Sequence, residues 1–439
     1  MIKNYLEIIS NIWIKMTFQE IITTKGHILY SLPDEKYQFN SEKILGMDLD
    51  WTIIKPIRGK IHPLDETDWE FFSSKLQKIQ DKITNGYKFV IFTNQAGLLS
   101  GKKNQLNLDQ FKSRWVDICT RLQTQYGISS VYLIASLYDD FNRKPCTGMW
   151  DFLETRLNGS VKVQRDKCLY IGDMAGRKGD YSSSDLLFAM NLGVEFAVPE
   201  VFYNDSNEMG NRTKKLIENV LEDDNVFNGK RYLETFDKNI SSRNKKSTES
   251  IKKLLLDRKK QFLIFFVGSP ASGKSTYYKN HLADLGDGLV YLSNDTFQGT
   301  PAKFNKEIDR NLKEGKNVIV DNTNASSKTR EKLIQIAAKL NSTALYGNKI
   351  NVVCIHVTTP KNIVMHLNAL RTKITNRDVL NKIANEGHSV PVVAIHTYWK
   401  HLEEPDTEKE GIDYLFKIEY EPAFITENGI TKEQFSMFL

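Results

Sequence analysis

At 439 residues, 40% hydrophobic and 26% charged, the chain is too long for one hydrophobic core and fits two domains of ordinary soluble composition. No run of about twenty apolar residues could span a bilayer, so a membrane role is excluded. The formal charge of +6 suits a polyanionic substrate without requiring one, and the four cysteines, Cys119, Cys146, Cys168 and Cys354, form no CxxC pair that would suggest zinc or a disulfide framework.

The opening stretch Met1 to Met16 mixes Ile, Leu and Trp with Lys3, Glu7 and Lys15, and lacks the apolar core and cleavage site of a signal peptide. An intracellular location is expected, with nucleus and cytoplasm undecided. Short apolar runs then end in polar residues at Ile44 to Asp48, Lys88 to Thr93 and Cys168 to Asp173, with helical spacing between them, for example from Trp69 to Ile83. That alternation reads as a Rossmann-like α/β domain with a parallel sheet, spanning residues 41–225 behind an N-terminal extension of residues 1–40. Residues 226–260 read as a linker, because from Phe236 to Lys260 the composition shifts to Asn, Ser and Lys and ends in a basic helix. The alternation resumes at Phe262 to Val267, Gly288 to Leu292, Val318 to Asp321 and Asn351 to Val357. This second α/β domain covers residues 261–439.

The sharpest motif opens the second domain. Gly268 to Ser275 reads GSPASGKS, the P-loop pattern, behind the strand FLIFFV and ahead of a helix-compatible run. Gly268 and Gly273 let the backbone curl, so the amides of Ser269, Ala271, Ser272 and Thr276, with the helix start, face nucleotide phosphates. Lys274 would neutralise the β- and γ-phosphates of ATP and Ser275 would hold Mg2+. Asp295, at the end of the next strand, is placed either to take a proton from an attacking hydroxyl or to cap a helix. Asp321 either supports the Mg2+ through water or caps its loop. Arg371 and Arg377, in HLNALRTKITNRD, suit either a lid over the transferring phosphate or a solvated helix face.

The first domain carries Asp48-Leu49-Asp50-Trp51-Thr52 at a strand end. Two carboxylates so spaced can share one phosphate, the first attacking phosphorus and the second protonating the leaving alcohol. Thr93, Lys144 in RKPCTGMW and Asp173 in IGDMAGR follow in order. This set resembles the haloacid dehalogenase superfamily of phosphatases. The resemblance implies an aspartyl-phosphate on Asp48, with phosphate contacts from Thr93 and Lys144. It also implies a Mg2+ site from Asp48, the Asp50 carbonyl and Asp173. Asp185 either joins that site or is an ordinary helix-start residue. His62, His366 and His388 lack metal-ligand spacing, and Trp69, Trp115 and Trp150 read as core rather than base-stacking residues.

FTNQAG, RKPCTGMWDFL, IGDMAGR and SSSDLLFAMNLG, followed by GSPASGKST, SNDT and DNTN, together resemble the bifunctional polynucleotide kinase 3′-phosphatases over roughly residues 40 to 430. The resemblance implies an enzyme that removes 3′-phosphates and phosphorylates 5′-hydroxyls at DNA or RNA ends, with Asp295 as kinase base. A monomer is expected, without the forkhead-associated domain and phosphoprotein partners of animal members. Two departures stand out. Trp51 replaces a small residue beside the nucleophile, and Ser100 replaces a basic one, for which Lys102 and Lys103 could substitute. Competing readings are a small-molecule phosphatase fused to a metabolite kinase, and a nonenzymatic end-binding protein.

Overall fold

The computed structural model describes residues 17–439, apart from 59–60, 100–105, 205–208, 224–225, 287, 344–348, 383–388 and 428. The chain forms two compact units, one of Met1–Val226 with Arg371–Gly387 and Met437–Leu439, the other of Phe227–Leu370 with His388–Ser436.

The first unit is built on β1 (Phe18–Thr23), β2 (Gly26–Ser31), β3 (Lys43–Met47), β6 (Tyr87–Asn94), β7 (Tyr132–Ser136), β8 (Leu169–Ile171) and β9 (Glu195–Ala197), with β4 (Ile54–Lys55) and β5 (Glu70–Phe71) as a separate pair. The sheet order is β1-β2-β7-β6-β3-β8-β9. From β7 to β9 all neighbours are parallel, whereas β1 and β2 form an antiparallel hairpin and β2 runs antiparallel to β7. The sheet is therefore mixed rather than wholly parallel, and it begins upstream of residue 41. β1 escapes a search for apolar runs because edge strand FQEIIT buries no residue fully, with only Phe18, Ile21 and Thr23 partly covered. The stretch Trp69 to Ile83 also differs from its helical reading. Glu70–Phe71 is extended against β4, and the helix is confined to Gln77–Thr84.

Helices cover both faces of the sheet. On one side Leu45, Met47, Phe89 and Ile91 pack with Trp115 and Leu122 of helix Leu108–Tyr126; on the other Ile44, Val90 and Phe92 pack with Trp150 and Phe188. Two-sided burial explains the continuous apolar run Phe89 to Phe92 within β6. Trp69, Trp115 and Trp150 are all core residues, at most 2% exposed. The central strand β3 lies between β6 and β8, where connections diverge to either side. Its carboxyl end therefore opens a crevice suited to a ligand.

The second unit repeats that logic with a fully parallel sheet. β10 (Gln261–Val267), β11 (Leu289–Ser293), β12 (Asn317–Asp321), β13 (Ile350–Thr358) and β14 (Tyr414–Glu419) are ordered β11-β12-β10-β13-β14. Every residue of β10 is buried. The segment read as a linker is largely helical, at Gly229–Thr235 and Asn239–Leu255. Its polar composition concealed a docking face. Ile251 and Leu255 are buried, and Asn244 pairs with the Glu419 backbone, donating Nδ2 to the carbonyl at 2.8 Å and accepting the amide at 3.0 Å. All four cysteines are buried and unbridged, and no helix among the described residues is long and apolar enough to cross a membrane.

Candidate active sites

In the first unit, chemistry gathers where β3, β6 and β8 end. Asp48 follows β3 directly, its amide donating to Ile171 O at 2.9 Å. The buried Lys144 ammonium donates to Asp48 Oδ1 at 2.7 Å, to Asp185 Oδ1 at 2.7 Å and to Tyr170 OH at 2.9 Å. Lys144 is itself held by Asn94 of β6, with Lys144 N donating to Asn94 Oδ1 at 2.9 Å and Asn94 Nδ2 to Lys144 O at 3.1 Å. Asp185, fully buried in the first turn of Ser184–Leu192, also accepts from Tyr170 OH at 3.0 Å and Met174 N at 3.1 Å. It thus joins the cluster and is no ordinary helix-start residue. Gly172 makes room for it, since a Cβ there would lie 2.4 Å from Asp185 Cγ.

The charges do not balance within this cluster. Carboxylate oxygens of Asp48, Asp173 and Asp185 lie within 4.8 Å of one another, with Lys144 as the cation between two of them. Burial pushes the Asp48 carboxyl up to about 7, against the pull of Lys144, with Asp185 adding repulsion. Burial followed by the Asp48 and Asp185 charges pushes Asp173 up to about 8. For Lys144, burial alone would lower the ammonium, but Asp185 and Asp48 outweigh it and raise it. Asp173 Oδ1 is buried without a hydrogen-bond partner. A hard divalent cation such as Mg2+, which takes carboxylate oxygens, fits the uncompensated charge and the orphaned oxygen.

Asp50 faces different neighbours, although only Leu49 separates it from Asp48. Gln95 Nε2 donates to Asp50 Oδ2 at 2.8 Å and to Thr93 Oγ1 at 2.9 Å, and buried Arg114 places NH1 3.6 Å from Asp50 Oδ1. The Asp50 side chain therefore lies outside the carboxylate cluster. Trp51 adopts φ 58°, a left-handed conformation that costs a non-glycine residue about 1–3 kcal/mol. Hydrogen bonds from Trp51 N to Ile54 O at 2.6 Å and from Ile53 N to Leu49 O at 2.9 Å hold that turn. Gln95, Arg114, Tyr170 and Gly172 escaped the sequence reading; only the adjoining motifs FTNQ and IGD marked two of their positions.

In the second unit the phosphate loop leaves β10 as the spacing predicts. Gly273 (φ 95°) and Ala271 (φ 60°) supply the curl, and a Cβ on Gly268 would come within 2.9 Å of Ser272 Oγ. Lys274 Nζ folds back on the Gly268 and Ser269 carbonyls at 3.0 and 2.8 Å. Ser275 Oγ donates to Asp321 Oδ2 at 2.6 Å, and Tyr291 OH donates to the same oxygen at 2.5 Å. Asp321 thus sits beside the Mg2+-binding hydroxyl expected of Ser275 rather than simply capping its loop. Asp295 is exposed in the turn after β11, its amide donating to Ser293 Oγ at 3.2 Å. The following helix is capped by Thr300, so Asp295 caps no helix.

Arg371 and Arg377 both lie on the helix Lys361–Leu380. Arg377 donates Nε to Asp378 Oδ1 at 2.7 Å. His62 is exposed, and buried His366 pairs Nε2 with Phe435 O at 2.9 Å. Ser100, Lys102, Lys103 and His388 lie outside the described residues.

Residues 43–203 match the family described as "Polynucleotide kinase 3 phosphatase", and residues 263–386 match "AAA domain". The "Bifunctional polynucleotide phosphatase/kinase" of Schizosaccharomyces pombe is 30% identical over 345 residues, covering 78% of this chain and 74% of the relative. A relative from Acanthamoeba polyphaga mimivirus is 29% identical over 356 residues, covering 75% of each chain. The "Polynucleotide 3'-phosphatase" of Saccharomyces cerevisiae is 28% identical, aligning with 37% of this chain and 87% of its own length.

Proposed function

Because the chain belongs to the bifunctional polynucleotide phosphatase/kinase family, we propose that its two clusters divide the family's two activities between them. The activities are removal of a 3′-phosphate and phosphorylation of a 5′-hydroxyl, and the substrates proposed are DNA or RNA ends handled by a monomer. The observation that carries the phosphatase assignment is the different setting of its two carboxylates, Asp48 held by Lys144 and Asp50 held by Gln95 and Arg114.

A carboxylate oxygen of Asp48 attacks the phosphorus, the bond to the 3′-oxygen breaks, and protonated Asp50 gives that oxygen its proton. Asp50, now ionised, takes a proton from water. The water oxygen attacks the phosphorus of the aspartyl-phosphate, releasing inorganic phosphate and regenerating Asp48. Lys144 offsets negative charge between Asp48 and the phosphate, while Thr93 contacts its oxygens. Asp48, Asp173 and Asp185 would hold Mg2+, as would Ser275 beside Asp321 in the kinase site, and the bound ion supplies positive charge to phosphoryl oxygens.

In the kinase, the loop amides and Lys274 bind the phosphates of ATP. Asp295 orients and deprotonates the 5′-hydroxyl, whose oxygen attacks the γ-phosphorus as the bond to the β-phosphate bridging oxygen breaks. The exposed turn after β11 leaves the Asp295 carboxylate accessible to a polynucleotide end.

The test uses one oligonucleotide with a 5′-hydroxyl and a 3′-phosphate, incubated with enzyme, Mg2+ and ATP and weighed by mass spectrometry. The expected result is ATP-independent loss at the 3′ end with ATP-dependent gain at the 5′ end. Hydrolysis of small phosphate esters with both ends untouched would favour the metabolic reading.

A further inference from the structure

The turn that follows Asp50 carries a feature the two reactions do not use. Trp51 keeps its left-handed backbone where glycine would fit without strain, and its indole Nε1 donates to Ile61 O at 3.0 Å. Beyond it, Ile57, Ile61 and Leu64 stand 60%, 57% and 46% exposed, three large apolar side chains turned to water within one loop. Isolated exposed leucines and isoleucines are common, but three on one loop that is tied at Ile61 to the residue following Asp50 call for a partner.

The loop holds these side chains outward through a buried anchor. Asp68 is fully buried, its Oδ1 accepting from Ile57 N at 3.1 Å and Arg58 N at 2.6 Å, and its Oδ2 from Leu64 N at 2.8 Å. Among the described residues of the loop, Arg58 pairs with Asp65 at 2.7 Å and Lys55 with Glu70 at 3.1 Å. What the described residues offer a ligand is therefore mainly apolar and aromatic surface, which suits the faces of nucleobases better than phosphate oxygens.

We propose that Trp51, Ile57, Ile61 and Leu64 form a platform on which the unpaired bases next to a 3′-phosphate stack, making this loop a specificity determinant for polynucleotides over simple phosphate esters. The inference rests on the phosphatase reading. A terminal phosphate at Asp48 leaves its nucleoside at the mouth of the site, where the chain continues from Asp50 into Trp51. Pre-organisation by Asp68 reduces the entropy lost when bases settle on the loop.

The test compares the full-length native protein with Trp51→Gly and Ile61→Ser on three substrates: a 3′-phosphorylated single-stranded oligonucleotide, the same strand with abasic sites at its last two positions, and para-nitrophenyl phosphate. Native kcat/KM should favour the base-bearing strand over the abasic one by about tenfold or more, the size of one stacking contact. Both variants should shrink that preference toward unity, chiefly through KM. Kinase activity of each preparation reports folding, and Ile61→Ser, at an exposed position, covers the case in which Trp51→Gly misfolds. An unchanged preference, or equal losses on all three substrates, overturns the platform. So does a preference that persists while the variants alter only self-association, which assigns the surface to a second copy. Native hydrolysis of the small ester with neither strand cleaved would instead overturn the phosphatase reading itself.

Discussion

Replacing Gly172 with alanine should disable the phosphatase without any change to an ionisable group. The added Cβ would sit 2.4 Å from Asp185 Cγ and 2.5 Å from its Cβ and Oδ2, where ordinary contacts start near 3.4 Å. The carboxylate must retreat by about 1 Å, enough to carry its bonds to Lys144, Tyr170 OH and Met174 N, now 2.7, 3.0 and 3.1 Å, out of hydrogen-bond range. Losing one charge-assisted bond costs about 1.5–3 kcal/mol. A misplacement of about 1 Å in a reacting cluster costs about a hundredfold in rate. We therefore expect kcat for 3′-phosphate release to fall about 100- to 1,000-fold, with a loss of about 2 kcal/mol in stability. The assay is phosphate release from a 3′-phosphorylated oligonucleotide at saturating Mg2+, with 5′-kinase activity of the same preparation as the control for intact protein. A variant that keeps phosphatase activity within about threefold of native, well short of the hundredfold expected, would refute the need for Asp185 at this position.

Asp48→Asn should abolish phosphatase activity and spare the kinase, and Lys274→Ala should do the reverse; loss of both activities from either folded variant would defeat the assignment of separate sites. Chelation by EDTA should stop both reactions, and added Mg2+ should restore both, as read by the same two assays. Acid should weaken the kinase unit through His366, whose burial lowers it from 6.5 to about 4 despite the Phe435 carbonyl. Between those values the unfolded chain binds the extra proton, so this part of the stability is complete above 6.5 and is lost as pH falls toward about 4. At about pH 5 the loss is about 2 kcal/mol, and His366→Gln should flatten the fall in denaturation midpoint between pH 7 and 5.

The residues legible in the sequence were those tied to a short pattern. Asp48 and Asp50 stand at the end of an apolar strand, Lys274 and Ser275 inside the phosphate loop, and Thr93, Lys144 and Asp173 at recognisable positions in order. What the pattern could not show was convergence. Lys144 and Asp185 are far apart in sequence yet meet at 2.7 Å, because β3, β6 and β8 end together. Asp185 reads in the sequence equally as a member of the metal site or as an ordinary first-turn acid, and its bonds to Lys144 and Tyr170, in the room left by Gly172, decide for the former. Arg114 sits in helix Leu108–Tyr126 among ordinary polar residues, and only packing reveals that it is buried beside Asp50. Strand β1 is illegible for the opposite reason, since an edge strand hides few side chains and leaves little apolar signal.

The placement of the four cysteines has a bearing on chemical wear. Each thiol is buried, and burial raises all four, so the reactive thiolate is scarce at neutral pH. Peroxide and electrophiles attack thiolates that reach solvent, and this chain offers them none. Oxidants of the kind that break nucleic-acid strands would thus leave the protein's sulfhydryls largely intact, so its activity should persist under peroxide stress that inactivates enzymes dependent on an exposed thiol.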